Sequence, residues 1–368
     1  MSKKNPHINY KLLFVALCLL IFGLITLYSA STVESFKKFG TPTYYILHQI
    51  TYGAGLGLIV MVILSKIDYH IFQKYLLLIV AISLLLLLAV KIPGFGLNLG
   101  GASRWLDLGP LSFQPSELAK LAIVLYLAAW IGRKGKSLND FSLGLLPSLI
   151  IICLFAGLIL SQPDFGTMFV ILAVAFFMLF VGGINWRYLF WSLILGLISL
   201  YSLIHFVPYR LRRITTFLNP SVDPKGLGYQ INQALLAIGS GGFFGYGYGL
   251  SRQKYSYLPE VMGDSIFAIA AEELGFVRII IVIILFGFFA VQGIKVAKGA
   301  PDVFGKLTAF GITAWITLQT IINIAAITKL IPLTGIPLPF FSYGSSALII
   351  NLAAVGILLN ISKQAKPN

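Results

Sequence analysis

Residues 76–90 read LLLIVAISLLLLLAV, without a charge and with Ser83 as the one polar side chain. A stretch that is apolar on every helical face belongs either in the core of a large protein or in lipid. The surrounding chain decides between them. Of 368 residues, 58% are hydrophobic and 11% charged, and the mean hydropathy is +0.90. A soluble chain of this size has no interior large enough for so much apolar surface, so the chain is a polytopic membrane protein. Working outward from 76–90, ten spans can be drawn, each near the roughly 20 residues that cross the hydrocarbon core. They lie at about 11–30, 45–65, 73–91, 116–132, 142–161, 166–183, 188–207, 265–294, 306–328 and 343–362. The fold class is all-α integral membrane, one polytopic unit over 1–368, with a large extracytoplasmic loop, 208–263, between spans seven and eight.

The formal charge of +15 does not indicate nucleic acid, because the basic residues sit between apolar spans and serve topology or anionic lipid. With the N-terminus inside, fourteen Lys and Arg fall in inner segments and five (Lys37, Lys38, Lys91, Arg104, Lys329) in short outer loops. That asymmetry places both termini in the cytoplasm. Lys3 and Lys4 before the apolar run Leu12–Leu27 imitate a signal peptide, but the polytopic chain downstream favours an uncleaved first span. Cys18 and Cys153 lie in apolar runs without metal-ligand spacing and are expected as buried free thiols. Segment 98–116 (NLGGASRWLDLGPLSFQPS) has the makeup of an interfacial loop anchored by Trp105. Segment 331–346 (IPLTGIPLPFFSYGSS) has three prolines and two glycines, too many for a helix interior.

The long polar interval runs from Tyr209 to about Gly275 and holds most of the groups able to do chemistry. Asp264 precedes the eighth span. On the local sequence alone it reads first as a helix N-cap, and a cap is compatible with a water-accessible base. Glu272 and Glu273 lie about 12 Å into that span by helical rise. At such depth carboxylates face a partner or a wet cavity. Successive helical positions point about 100° apart, so the two should not share a partner; Lys120 is a plausible mate for one, and Arg278 should have its own. Arg210, Arg212, Arg213, Arg252 and Lys254 suit either a pyrophosphate or lipid headgroups. The glycines between Gly239 and Gly249 form no Walker motif and leave both a phosphate cradle and a flexible turn open. Asp164 suits a tight turn or an N-cap. His7, His48, His70 and His205 have no metal-ligand spacing, and the sequence defines no metal site.

Several motifs occur in one order along nearly the whole chain: GASRWLDLGPLSFQPSELAKLA, QPDFGT, GYQINQALLAIGSGG, YLPEVMGDSIFAIAAEELGF and IPLTGIPLPFFSYGSS. By these motifs the chain resembles the SEDS proteins of shape, elongation, division and sporulation, the family of FtsW, RodA and SpoVE. SRQKYSYLPE is most similar to the FtsW branch, associated with cell division. The resemblance implies a ten-helix peptidoglycan glycosyltransferase that polymerises lipid II outside the cytoplasmic membrane. It implies a class B penicillin-binding protein and other divisome membrane proteins as partners, and assistance from a divalent cation, Mg or Mn. It makes Asp264 the catalytic base. Candidates for substrate contact are Glu117, Lys120, Arg213, Arg252, Lys254, Glu260, Lys329 and Ser342, with Glu272 and Glu273 as structural or cavity-lining polar groups. The sequence departs from the family in Val261-Met262-Gly263 before Asp264, in Ser345 after Tyr343-Gly344, and in Lys329. A lipid II flippase, with charge lining a transport path, and a non-catalytic divisome scaffold are the competing readings.

Overall fold

The computed structural model describes residues 8–99, 102–109, 111–205 and 208–365. Among the described residues, seven helices are long and apolar enough to cross a membrane: α1 (Tyr10–Phe39), α2 (Tyr44–Lys66), α4 (Pro115–Lys134), α5 (Phe141–Leu160), α10 (Ile266–Gly299), α11 (Val303–Ile327) and α12 (Ser345–Gln364). Three shorter apolar helices accompany them: α3 (Leu76–Ala89), α6 (Phe165–Val181) and α7, apolar over Trp186–Ser199. The stretch 76–90 thus becomes one of the short helices. Its 14 residues span about 21 Å, and Pro93-Gly94, with Gly94 at φ 91°, ends the run. Leu76, Val80, Ser83 and Leu87 are its buried stripe, while Leu77, Leu78 and Leu85 are exposed. With lipid and protein equally apolar, no periodicity in the sequence marks that stripe.

Helix ends follow local chemistry. Asn9 caps α1 through Leu12 N at 3.0 Å, and Gly40, at φ 69°, closes it onto Phe36 O. Asp164 caps α6 at Thr167 N (3.0 Å) and Asp302 caps α11 at Gly305 N (2.8 Å). Helices α4 and α12 are the most enclosed, with 83% and 89% of their apolar windows buried, against 28% for α10. The buried faces of α4 and α12 mix apolar residues with polar ones such as Glu117, Lys120, Asn351 and Asn360, whereas Ile281, Ile284 and Val291 of α10 face outward.

Two expectations change. Segment 98–116 is not a plain loop: Gly96–Leu99, Ala102–Leu108 and Leu111–Phe113 form an antiparallel sheet, β1-β2-β3, so the fold is helical with one small sheet. Leu106 pairs with Gly96 and Phe113 and is buried. Arg104 fastens the sheet to the turn before α6 through Gln162 O (3.0 Å) and Pro163 O (2.6 Å). Cys153 is exposed on α5 rather than buried, and Cys18 is intermediate.

The interval after α7 carries two helices, α8 (Pro208–Leu218) and α9 (Leu227–Ser240), and α9 lies along α10. Helix α10 is broken. Gly275 sits at φ 74°, ψ 174°, a conformation essentially confined to glycine, and divides it into 266–274 and 276–299. The second part alone is about 36 Å long, enough to cross the hydrocarbon core.

Candidate functional site

At the N-terminal end of α10, Asp264 lies ahead of the helix but does not cap it. Ser265 occupies the cap position, and no side chain accepts from the first turn. Asp264 is held from other elements instead. Gln230 of α9 donates Nε2 to Asp264 Oδ1 at 3.2 Å and to Ser265 Oγ at 3.1 Å. Asn323 of α11 donates Nδ2 to the backbone oxygens of Asp264 (2.9 Å) and Ile336 (2.8 Å). The irregular 331–344 segment, expected as a re-entrant or capping loop, pins the preceding residues. Tyr343 N reaches Met262 O at 2.8 Å, and Ser342 Oγ donates to Gly263 O at 2.7 Å while accepting from Leu338 N at 2.8 Å.

Asp264 is partly exposed at its surface yet enclosed by protein on most sides, as in a narrow recess. Burial pushes its carboxyl from the ordinary 3.8 up to about 6; the nearby Glu260 charge adds to this, and Arg213 of α8 opposes it. Glu260 is exposed in a turn with φ 53°, its carbonyl accepting from Gly263 N and Ser265 N. Arg213 Nη1 donates to Leu333 O at 2.9 Å, which ties α8 to the same irregular segment. Lys329, half-buried at φ 57°, follows α11. The recess thus gathers Asp264, Glu260, Arg213 and Ser342 of the expected residues. It adds Gln230 and Asn323, which single-sequence reasoning missed because amides carry no charge signature.

The remaining candidates fall into two other clusters. Lys120 does not reach Glu272 or Glu273. Its Nζ bonds Glu117 Oε1 (2.8 Å) and Gln319 Oε1 (2.7 Å) and stacks 5.0 Å from the Trp315 ring, with Lys120 and Glu117 at most 2% exposed. An i,i+3 pair on α4 closes on itself because both side chains share a face. Glu117 Oε2 has no partner among the described residues.

Glu272 and Glu273, expected to diverge, bind one loop. Ser251 Oγ and the Arg252 N–H donate to Glu272, while Ser251 N and Lys254 Nζ donate to Glu273 Oε1 at 3.2 and 3.1 Å. Lys254 also reaches Ser29 Oγ of α1 and Gly249 O. At 5% exposure it is a structural cation and is not available to a substrate phosphate. Arg252 is exposed and lies over the Tyr246 ring at 5.1 Å. Arg278 has the separate partner expected of it, Phe244 O at 3.2 Å.

The glycine cluster is not a phosphate cradle. The N–H groups of Tyr246 and Gly247 bond the carbonyls of Glu272 and Glu273, both at 3.1 Å, which the helix break leaves open. Phe276 N and Val277 N in turn reach Gly242 O and Phe243 O. The cluster is a splint around the broken helix. Lys254→Met is expected to lower stability by about 3–5 kcal/mol, because Glu273 is left buried and unpaired. Lys254→Met with Glu273→Met should recover most of it; thermal melts in detergent measure both. A double variant no better than the single would mean the pair is not the cause.

Among the described residues no three His, Cys, Asp or Glu side chains come together as a metal site.

An apolar helical bundle with a polar site around Asp264 at the head of one helix defines an integral membrane protein. The chain belongs to the FtsW/RodA/SpoVE cell cycle protein family, which matches residues 10–367. It is 41% identical over 366 residues to stage V sporulation protein E of Bacillus subtilis (strain 168), covering 100% of both chains. It is also 41% identical to a probable peptidoglycan glycosyltransferase FtsW of Geobacter sp. (strain M18), covering 96% of each. Its fold is similar to a chain in a peptidoglycan synthase complex that coordinates polymerization and crosslinking (TM-score 0.80, 29% identity, 96% of this chain and 97% of that one). It is similar too to the rod shape determining protein RodA of Thermus thermophilus (TM-score 0.69, 28% identity, 98% of each).

Proposed function

We propose that this chain is a peptidoglycan glycosyltransferase that polymerises lipid II on the outer face of the bacterial cytoplasmic membrane. The observation that carries this reading is the Asp264 recess, in a family whose relatives include proteins named as such enzymes. Asp264 takes the proton from the acceptor sugar hydroxyl. The oxygen attacks the donor's anomeric carbon, and the bond to lipid pyrophosphate breaks with inversion, so an α-linked donor gives a β-linked strand. Arg213, which faces Asp264 and lowers its carboxyl, is the cation placed to offset negative charge on the leaving group. The seven long and three short apolar helices are read as ten spans, with both termini cytoplasmic and the α8–α9 interval outside. The partner is a class B penicillin-binding protein, in keeping with the synthase complex that the fold resembles. The similarity of SRQKYSYLPE to the FtsW branch supports a role in cell division. Assistance by Mg or Mn, bound chiefly through the substrate's pyrophosphate, would appear as divalent-ion dependence of the rate.

Transport finds less support. Glu272, Glu273 and Lys120, the charges that could line a path, are engaged in closed contacts with Ser251, Lys254, Glu117 and Gln319. The test is glycan polymerisation from purified lipid II, with and without the class B partner, across pH 5–9. The base must be ionised, so the rate should fall about tenfold per pH unit below about 6 and level off above it. A flat profile from pH 5 to 8 would remove Asp264 from the role of base; no polymer under any condition would remove the function.

A further inference from the structure

The contacts around Asp264 leave a question the reaction alone does not answer: what fixes which carboxylate oxygen takes the proton. We infer that Gln230 is a positioning residue that holds Asp264 Oδ1 through its side-chain amide and presents Oδ2 to the acceptor hydroxyl. This rests on the polymerase reading of the site.

Gln230 is 8% exposed and uses both hydrogens of one planar NH₂ group, on Asp264 Oδ1 at 3.2 Å and Ser265 Oγ at 3.1 Å. Ser265 is fully buried, and its hydroxyl lies 3.5 Å from the same Oδ1. Amide, hydroxyl and carboxylate therefore close a small ring, and both side-chain donors converge on one oxygen. A flat amide that must satisfy two acceptors fixes the rotation of the carboxylate, as a single flexible donor would not. The backbone is fixed separately by Asn323, 1% exposed, through Asp264 O.

Gln230 is itself anchored. The N–H groups of Leu227 and Gly228 bond Asp223 Oδ2 and Asp223 O, both at 3.1 Å, and Asp223 pairs with Arg212 at 2.8 Å. Helix α9 therefore starts from a fixed point and lies along α10. The charged groups facing Asp264 are Glu260 of its own turn and Arg213 of α8; α9, α11 and the 331–344 segment bring the neutral groups Gln230, Asn323 and Ser342 against its turn. A hydrogen bond to the ionised carboxylate favours ionisation. Gln230 thus orients the base and, donating to the ionised form beside the Ser265 hydroxyl that lowers the carboxyl, works against the rise that burial causes.

The test uses the full chain with its partner and lipid II. Gln230→Met keeps length and removes both donors; Gln230→Glu keeps shape and sets a second carboxylate against the first. In Gln230→Met, kcat should fall roughly 10- to 100-fold with KM for lipid II within about twofold of wild type. Its acid limb should move up by about one pH unit. Gln230→Glu should move the limb further and regain rate toward pH 9. A melt confirms folding, and if Gln230→Met does not fold, Gln230→Glu decides. A limb at the wild-type position in either folded variant overturns the inference, whether or not kcat falls. If Asp264→Asn keeps activity, the assignment of the base fails and Gln230 has no base to position; if no polymer forms from wild type under any condition, the polymerase reading itself fails.

Discussion

Asp264→Asn is expected to cut glycan polymerisation by roughly 10²- to 10⁴-fold, the usual worth of a general base, while the chain stays folded. The same substitution should raise the melting temperature at neutral pH, and the sign can be worked out. The carboxyl titrates near 3.8 when unfolded and near 6 in the recess. Its stabilising protonated form is fully present below pH 3.8, and that contribution is lost as pH rises through 6. At pH 7.5 the buried charge therefore opposes folding by about 2 kcal/mol, allowing for its partial exposure. Asparagine removes that charge and still accepts from Gln230. Melts of both proteins at pH 4.5 and 7.5 measure the difference, which should be small at the lower pH and several degrees at the higher. Polymerisation at the wild-type rate in a folded Asn variant would move the search for the base to Glu260, the other carboxylate facing Asp264.

Gly275→Ala should be severely destabilising. An added Cβ at Gly275 would meet Gly245 N at 2.1 Å and Phe244 C at 2.4 Å, both backbone atoms that cannot rotate away. The φ of 74° with ψ of 174° adds strain of about 1–3 kcal/mol for any side chain. With the clash the total should exceed about 4 kcal/mol, enough for poor accumulation in the membrane. Gly287→Ala on the second half of α10 is the control. A Cβ there meets nothing within 4 Å, and alanine in a helix interior should be neutral or stabilising by up to about 1 kcal/mol. Equal behaviour of the two variants would mean that the break is not required. A Gly275→Ala protein that folded with α10 straightened would carry Asp264 away from Gln230, so loss of polymerisation should accompany loss of the break.

Several parts of the site were visible in the sequence. Asp264 is legible as a carboxylate at the head of an apolar run, in the place of a cap, and the family resemblance makes it the base; Asp164 is recognisable as a cap from its place before Phe165-Gly166-Thr167. Lys254 and Arg213 looked alike, as cations in one polar interval. The structure separates them: Lys254 is buried against Glu273, while Arg213 faces Asp264. The glycines at 239–249 suggested a ligand, but their partner is the chain itself, the interrupted α10 some thirty residues later. A break at Gly275 leaves almost no mark in an apolar run, since the compensating hydrogen bonds come from a distant loop.

The sequence by itself determined the solvent of this protein, its family and the carboxylate at the head of α10. Composition and the order of the motifs are properties of the chain that need no contacts. Only the tertiary structure decided which charges are structural, which helix is broken and which neutral amides hold the base. An ammonium or an amide takes its role from the groups that surround it after burial, and those groups lie on other helices, far away in sequence.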